Sequence, residues 1–178
     1  MILVIHAHPY PRRSRAGSAL LAAVRDLPDV EVRSLYDCYP DFDIDVAAEQ
    51  AALSRADLIV WLHPVFWYSV PALLKHWFDV VLLSGWAYGE GGTALRGKHC
   101  LWVATTGGSA SSFAASGVHQ LPFAEFEAPI RQTAKFCAMV WEPPLIVHDV
   151  NGVTQDEIAA GVQAFRERLS HWSPNPKP

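Results

Sequence analysis

The run MILVIHAHPYPRRSRAGSALLAAV, residues 1–24, decides the fold that the sequence predicts. Ile2–Ala7 is an unbroken apolar stretch, as in a strand buried on both faces of a parallel sheet. A polar loop, His8–Arg13, leads to Ser14, which can cap a helix over Arg15–Leu27. A buried strand, a loop and a helix in this order open an α/β fold.

The same alternation continues along the rest of the chain. The other predicted strands are Val30–Leu35, Asp57–Leu62, His99–Thr105 and Leu145–Val150, and the other predicted helices are Val46–Arg55, Ala72–Leu83, Phe126–Val140 and Thr154–Trp172. This pattern predicts an α/β, flavodoxin-like fold, with a five-stranded parallel sheet of order 2-1-3-4-5 and helices on both faces. The second strand alternates apolar and charged residues, as at a sheet edge. We expect one domain over residues 1–172 and a frayed tail at 173–178.

Composition and charge exclude several classes of protein. The 178 residues are 51% hydrophobic and 18% charged, which suits one packed domain. A net charge of −4 offers nucleic acid no bulk attraction, so no nucleic-acid partner is expected. The sequence starts on a strand, leaves no room for a signal peptide and has no apolar run long enough for a membrane span. We therefore expect a cytoplasmic protein.

The cysteines fit the same compartment. Cys38, Cys100 and Cys137 are scattered and form no CxxC pair, which is typical of thiols in a reducing cytosol. Cys38 has polar neighbours and is the candidate for a reactive thiol. No metal site is expected.

Ligands of such sheets bind outside the carboxyl ends of the strands, so the loops after strands one, three and four should converge. The first loop, residues 8–17, ends at a helix start whose amides and Ser14 hydroxyl suit a phosphate. Arg12, Arg13 and Arg15 add positive charge there. The alternative is that Ser14 only caps the helix and the arginines are solvated. The chain has neither GxGxxG nor GxxxxGK[ST], which disfavours a Rossmann dinucleotide site and an NTPase loop.

The second loop, residues 64–71, reads PVFWYSVP. Its three consecutive aromatic residues are Phe66, Trp67 and Tyr68, and they lie between two prolines. A planar heterocycle against this turn would explain so many rings. The alternative is that Phe66 or Trp67 packs into the core.

The third loop, residues 105–109, reads TTGGS and follows a buried strand. Gly107 and Gly108 let the backbone approach a ligand closely and expose its N–H groups. Such amides can stabilise the negative charge that a flavin gains on reduction. A tight turn alone would also explain the glycines.

Together these motifs resemble a known family. HPYPRRS at 8–14, PVFWYSVP at 64–71, LLKHWF at 73–78, GWAYGEGG at 85–92 and TTGG at 105–108 are similar to the NAD(P)H:quinone oxidoreductases of the DT-diaphorase superfamily. YPDFDID at 39–45 and LSRADLIVW at 53–61 resemble most the ancillary flavoproteins of bacterial glutathione-gated potassium efflux systems. The similarity extends over residues 1–144.

The resemblance implies a cofactor, a reaction and partners. It implies FMN, with FAD less favoured, held by His8, Ser14, Arg15, Ala16, Gly17, Val65, Phe66, Trp67, Tyr68, Thr105, Thr106, Gly107 and Gly108. It implies a ping-pong, two-electron transfer of hydride from NAD(P)H through the flavin to a quinone, in a homodimer with flavin sites at the interface. The alternative is a regulatory subunit on a potassium-efflux transporter at the inner face of the cell membrane. An electron-carrier flavodoxin is disfavoured, because such carriers are strongly acidic.

Three positions differ from the family pattern, and one, the histidine at 119, matches it. A tyrosine and a histidine that follow the family's TTGG match Phe113 and His119, so the tyrosine hydroxyl is missing here. His119 is the candidate catalytic proton donor, and the alternative is an exposed loop histidine. Gly17 stands where the family often has Asn, and Phe66 where it usually has Gln. These replacements leave backbone contacts to a flavin in place.

Overall fold

The protein, seen in a computed structural model, is described over residues 1–150, 152 and 154–174. The strands are β1 (Ile2–His6), β2 (Val30–Ser34), β3 (Leu58–Pro64), β4 (His99–Thr105), β5 (Val140–Trp141) and β6 (Leu145–Val147). The helices are α1 (Arg15–Ala22), α2 (Leu35–Cys38), α3 (Val46–Arg55), α4 (Ala72–Val81), α5 (Ala124–Phe136) and α6 (Gln155–Ser170). The sheet order is β2-β1-β3-β4-β5, with β6 also paired to β4, and every ladder is parallel. The predicted flavodoxin-like fold and its strand order are confirmed.

Helices cover both faces of the sheet because side chains on a strand alternate between faces. Leu3 and Ile5 of β1 belong to a buried cluster with residues of α3, α4 and α5. Ile2 and Val4 of the same strand belong to a second cluster with residues of α1 and α6. Strand β2 lies at the edge of the sheet, as its alternating sequence predicts.

The fifth strand differs from the prediction. One strand, Leu145–Val150, was predicted at this edge of the sheet. Two short strands lie there instead: β5 pairs with the start of β4, and β6 pairs with its end. Pro143 and Pro144 separate them, since proline has no N–H to donate to a ladder. The preceding helix was predicted to reach Val140 but ends at Phe136, and Ala138 has φ 56°. The first helix likewise ends at Ala22 rather than Leu27.

A buried carboxylate joins three elements on the α3 side of the sheet. Glu49 of α3 is fully buried and accepts hydrogen bonds from Arg33 Nε (2.7 Å), Tyr39 Oη (2.6 Å) and Trp77 Nε1 (2.9 Å). Burial and the bond to Glu49 raise the pKa of Tyr39 to about 12. The charge on Glu49 is therefore paired and its oxygens are bonded, as a buried ion requires.

Cys100 and Cys137 are buried, and although Cys38 is exposed, desolvation raises the pKa of its thiol, which disfavours a reactive thiolate. Along the described part of the chain, each helix is too short or too polar to cross a bilayer. Residues 173–174 are in neither helix nor strand, and the rest of the predicted tail, 175–178, lies outside the described residues.

Candidate functional site

The three loops meet at the carboxyl edge of the sheet. The ring of His8 in the first loop contacts that of Phe66 in the second edge-on, with centroids 5.9 Å apart. The N–H of Val65 donates to the carbonyl of Thr105, at the start of the third loop, over 2.8 Å. This proximity follows from the ladder between β3 and β4, which places Pro64 opposite Thr105.

The second and third loops enclose a cavity of about 220 Å³. Its walls are Val65, Trp67, Tyr68, Thr106, Gly107, Gly108, Phe113 and His119. The cavity therefore collects most of the predicted site residues of the second and third loops, together with His119. Phe66 and Thr105, which were also predicted, are not among its walls. The predicted residues of the first loop lie beyond this wall, at the end of β1 and the start of α1.

The second loop is a strained hairpin. Phe66 and Ser69 exchange both backbone hydrogen bonds, at 3.1 and 3.0 Å, and the two residues between them have φ values of 49° (Trp67) and 63° (Tyr68). Two consecutive left-handed residues define a type I′ turn, which normally takes Asn or Gly. The turn points its rings outward: Trp67 is 93% exposed and Tyr68 half exposed. The alternative that Phe66 or Trp67 packs into the core is wrong, because both are exposed.

Thr106 anchors the third loop to the end of the sheet. Thr106 donates its N–H to Val147 (3.0 Å) and its hydroxyl to the carbonyl of Gly108 (2.7 Å), which also accepts from Asp149 N–H (2.9 Å). Within the described ranges, the N–H groups of Gly107 and Gly108 have no protein acceptor. Two adjacent amide donors at the end of a strand are suited to a polar ligand edge.

His148, which the sequence did not single out, holds this loop from behind. Its Nδ1 lies 2.9 Å from the hydroxyl oxygen of Thr106. Since that hydroxyl gives its proton to Gly108, His148 must donate from Nδ1. Desolvation lowers the pKa of His148 and keeps it neutral near pH 7. Its position after the last strand, at the edge where ligands bind, is the signal that could have identified it.

His119 is fixed on two sides. Its ring stacks on that of buried Phe113, with centroids 4.4 Å apart at 19°, and its Nδ1 lies 3.3 Å from Tyr68 Oη. The hydroxyl that Phe113 lacks is therefore present beside His119, on a different loop. His119 is half-buried in the cavity wall rather than a solvated loop residue.

The first loop begins helix α1 as predicted. Ser14 is its N-cap, and its Oγ accepts from the N–H of Gly17 over 3.1 Å. Ala16 and Gly17 are buried, while Arg15 is exposed. His8 accepts the N–H of Tyr10 at Nδ1 (3.0 Å), and desolvation lowers its pKa. A capped helix start suits an anion, and His8, which accepts at Nδ1, has its N–H donor on Nε2.

A larger groove of about 610 Å³ adjoins the cavity between α4 and α5. Val65 and Tyr68 line both spaces. At the inner wall of the groove, buried His63 accepts from Trp102 Nε1 (2.8 Å) and donates Nδ1–H to the carbonyl of Pro64 (2.9 Å). Burial lowers the pKa of His63 to about 4, so the ring is neutral near pH 7. With both ring nitrogens hydrogen-bonded, His63 supports the second loop from below.

Comparison with known proteins agrees with this geometry. The family model Flavodoxin_2, described as flavodoxin-like fold, matches residues 1–169. Over 172 residues, and 97% of both chains, the sequence is 53% identical to the glutathione-regulated potassium-efflux system ancillary protein KefF of Salmonella typhi. The general stress protein 14 of Treponema denticola, solved in complex with FMN, is 35% identical with a TM-score of 0.86 over 95% of each chain. An NADPH-quinone reductase of P. pentosaceus is 29% identical with a TM-score of 0.88, over 97% of this chain and 99% of that one.

Proposed function

We propose that this chain, a member of the Flavodoxin_2 family of flavodoxin-like proteins, is an FMN-dependent NAD(P)H:quinone oxidoreductase. The observation that carries the proposal is that Gly107 and Gly108, whose N–H groups have no acceptor among the described residues, line the same cavity as Tyr68 and His119. Likeness to a solved FMN complex and to a solved quinone reductase supports both the cofactor and the reaction.

The residues of the three loops fit FMN. The amides of Gly107 and Gly108 match the polar edge of the flavin ring, and Trp67 and Tyr68 offer it an aromatic wall. The capped start of α1, from Ser14 to Gly17, matches its single phosphate. A second phosphate would need a second anion site, which favours FMN over FAD. Bound FMN would supply the hydride chemistry, accepting two electrons from NAD(P)H and passing them to a quinone.

The polar residues of the cavity, and His148 behind it, would divide the work as follows. The N–H groups of Gly107 and Gly108 stabilise negative charge on the ring edge that they face. His119 holds a proton for the quinone oxygen, and Tyr68 orients the imidazole through Nδ1. His148 and Thr106 keep the third loop in the conformation that presents its amides.

The open side of the cavity serves both substrates in turn, as a ping-pong reaction requires. Exposed Trp67 and the apolar wall of the adjoining groove suit the flat nicotinamide and quinone rings. The proposal covers NADH and NADPH alike as hydride donors.

We also propose a homodimer whose flavin sites lie at the interface. Val118 and Phe136 are exposed apolar residues beside the two cavities, and a second copy would remove them from water while Trp67 stays available to the substrates. Sedimentation velocity tests this point, and a monomer at micromolar concentration would refute it.

A second candidate function is favoured by the 53% identity with KefF of Salmonella typhi: an ancillary subunit of a potassium-efflux transporter. The protein would then act in the cytoplasm, at the inner face of the membrane. Co-expression with such a transporter, followed by potassium-efflux measurement with the wild type and with a flavin-site variant, tests this role. Efflux that is unaffected by the protein would exclude it.

The decisive experiment for the enzyme is reconstitution. The purified protein is titrated with FMN and with FAD, then mixed in a stopped-flow instrument with NADH or NADPH and afterwards with a quinone. We expect stoichiometric FMN uptake, bleaching of the flavin absorbance by at least one nicotinamide, and recovery of that absorbance with quinone. A protein that binds no flavin, or whose flavin no nicotinamide reduces, would overturn the proposal.

A further inference from the structure

His6 carries a buried nitrogen that the fold leaves without a partner. It is the last residue of β1, it is 4% exposed, and its Nδ1 lies 3.2 Å from Ser34 Oγ. Its Nε2 is buried as well and makes no hydrogen bond to any described residue. Buried polar atoms in folded proteins almost always have a hydrogen-bond partner, so a native partner for Nε2 is expected.

The unpartnered nitrogen lies beneath the start of α1. A Cβ atom built on Gly17 would lie 3.8 Å from His6 Nε2 and 2.4 Å from Ser14 Oγ. His6 Nε2, Ser14 Oγ and the backbone of Gly17 therefore lie close together at the start of α1. A phosphate oxygen at this helix start would be an acceptor for Nε2.

We propose that His6 binds the phosphate of FMN, donating a hydrogen bond from Nε2 at the N-terminus of α1. The inference rests on the proposed FMN function and adds a residue that the family resemblance does not include. It also accounts for Gly17, since His6 supplies a donor where the family often has an asparagine side chain.

The protonation state of His6 suits this task. If the hydroxyl of Ser34 donates to Nδ1, the ring proton is on Nε2, as a phosphate requires. Burial is the main cause that lowers the pKa of His6 to about 4, so the donor is neutral at pH 7. Neutral N–H donors at a helix start bind phosphate with the help of the helix dipole.

The test compares two flavins that differ only in the phosphate. Dissociation constants of FMN and of riboflavin are measured by fluorescence quenching for the wild type, His6→Phe and His6→Gln. We expect His6→Phe to weaken FMN about tenfold or more, as for a lost hydrogen bond to a charged group, and to change riboflavin less than about twofold. His6→Gln, which keeps an N–H donor, should recover part of the FMN affinity. An equal loss for both flavins, or no loss for either, would overturn the role of His6.

A second measurement needs only the wild type, so it remains decisive if His6→Phe does not fold. In ¹⁵N-histidine-labelled protein, the Nε2 signal of His6 should shift on adding FMN and stay in place on adding riboflavin. The same shift with both flavins would contradict a phosphate contact. A wild type that binds neither flavin would instead overturn the proposed function itself, and the inference with it.

Discussion

The hydroxyl oxygen of Tyr68 lies 3.3 Å from Nδ1 of His119, although 51 residues separate the two in sequence. The rings meet edge-on, with centroids 5.6 Å apart at 83°. The contact ties the strained turn of the second loop to the segment that follows the third. It gives His119 a hydroxyl partner although Phe113 has none.

Removing either member of this pair should slow reoxidation of the reduced flavin by quinone, while the FMN dissociation constant changes by a smaller factor. We expect His119→Ala to slow quinone reduction about 100-fold and Tyr68→Phe less, because general acids contribute about 10²–10⁴-fold. Stopped-flow rates with FMN-loaded protein measure this effect, with Tyr10→Phe at an exposed position as control. A rate of quinone reduction equal to wild type in His119→Ala would show that His119 lines the cavity without donating a proton.

The left-handed turn should store measurable strain. Trp67→Gly and Trp67→Ala both delete the ring, but only glycine adopts φ 49° without a Cβ penalty. The glycine variant should therefore be more stable than the alanine variant by about 1 kcal/mol in urea unfolding. Both should bind FMN more weakly than the wild type. Equal stabilities would mean that this backbone conformation costs nothing.

Gly108→Ala should displace the neighbours of the third loop. The new Cβ would lie 2.7 Å from Ser112 Oγ and 3.2 Å from His119 Nε2. We expect FMN affinity to fall about tenfold, which corresponds to about 1.4 kcal/mol. The double variant Gly108→Ala/Ser112→Ala, which removes the nearer clash, should recover part of the loss. Affinity equal to wild type in the single variant would contradict a close approach at Gly108.

Glu49→Gln should affect stability and leave the flavin site intact. Removing one charge of a buried pair costs about 3–5 kcal/mol, and here Arg33 loses the buried one of its two carboxylate partners. Glu31→Gln is the control: Glu31 pairs with Arg33 at 3.5 Å and with exposed Arg55 at 2.9 Å but is itself partly exposed, so its loss should cost about 1 kcal/mol or less. Urea unfolding measures both, and FMN affinity should not change. Similar losses in the two variants would contradict the central role of Glu49.

Buried His63 should make the fold less stable in acid. Its pKa is about 4 in the native state, against an ordinary value of 6.5, so between these pH values the unfolded chain binds the proton and the native state does not. Stability is thus retained above pH 6.5 and falls toward pH 4 by up to about 1.4 kcal/mol per pH unit. Urea unfolding at several pH values should show a shallower decline in His63→Gln. Parallel curves would assign the acid sensitivity to other groups.

Much of this architecture follows from local patterns. The apolar runs at Ile2 and Leu58 predict buried parallel strands, and the loops between strands and helices predict the ligand edge. Element ends were less predictable. Val140 joined a strand rather than a helix because pairing with Lys98 and β4, which is distant in sequence, competes with helix propensity.

The amino-acid sequence alone determined the order of strands and helices and the meeting of three loops at one sheet edge. Hydrophobic periodicity and turn-forming residues are local properties, so a linear pattern can encode them. The partners of individual side chains were not determined in this way. Folding brought Tyr68 to His119, His148 behind Thr106, and the orphan nitrogen of His6 beneath Gly17. Such contacts depend on how helices and loops pack across the sheet, which a linear pattern does not encode.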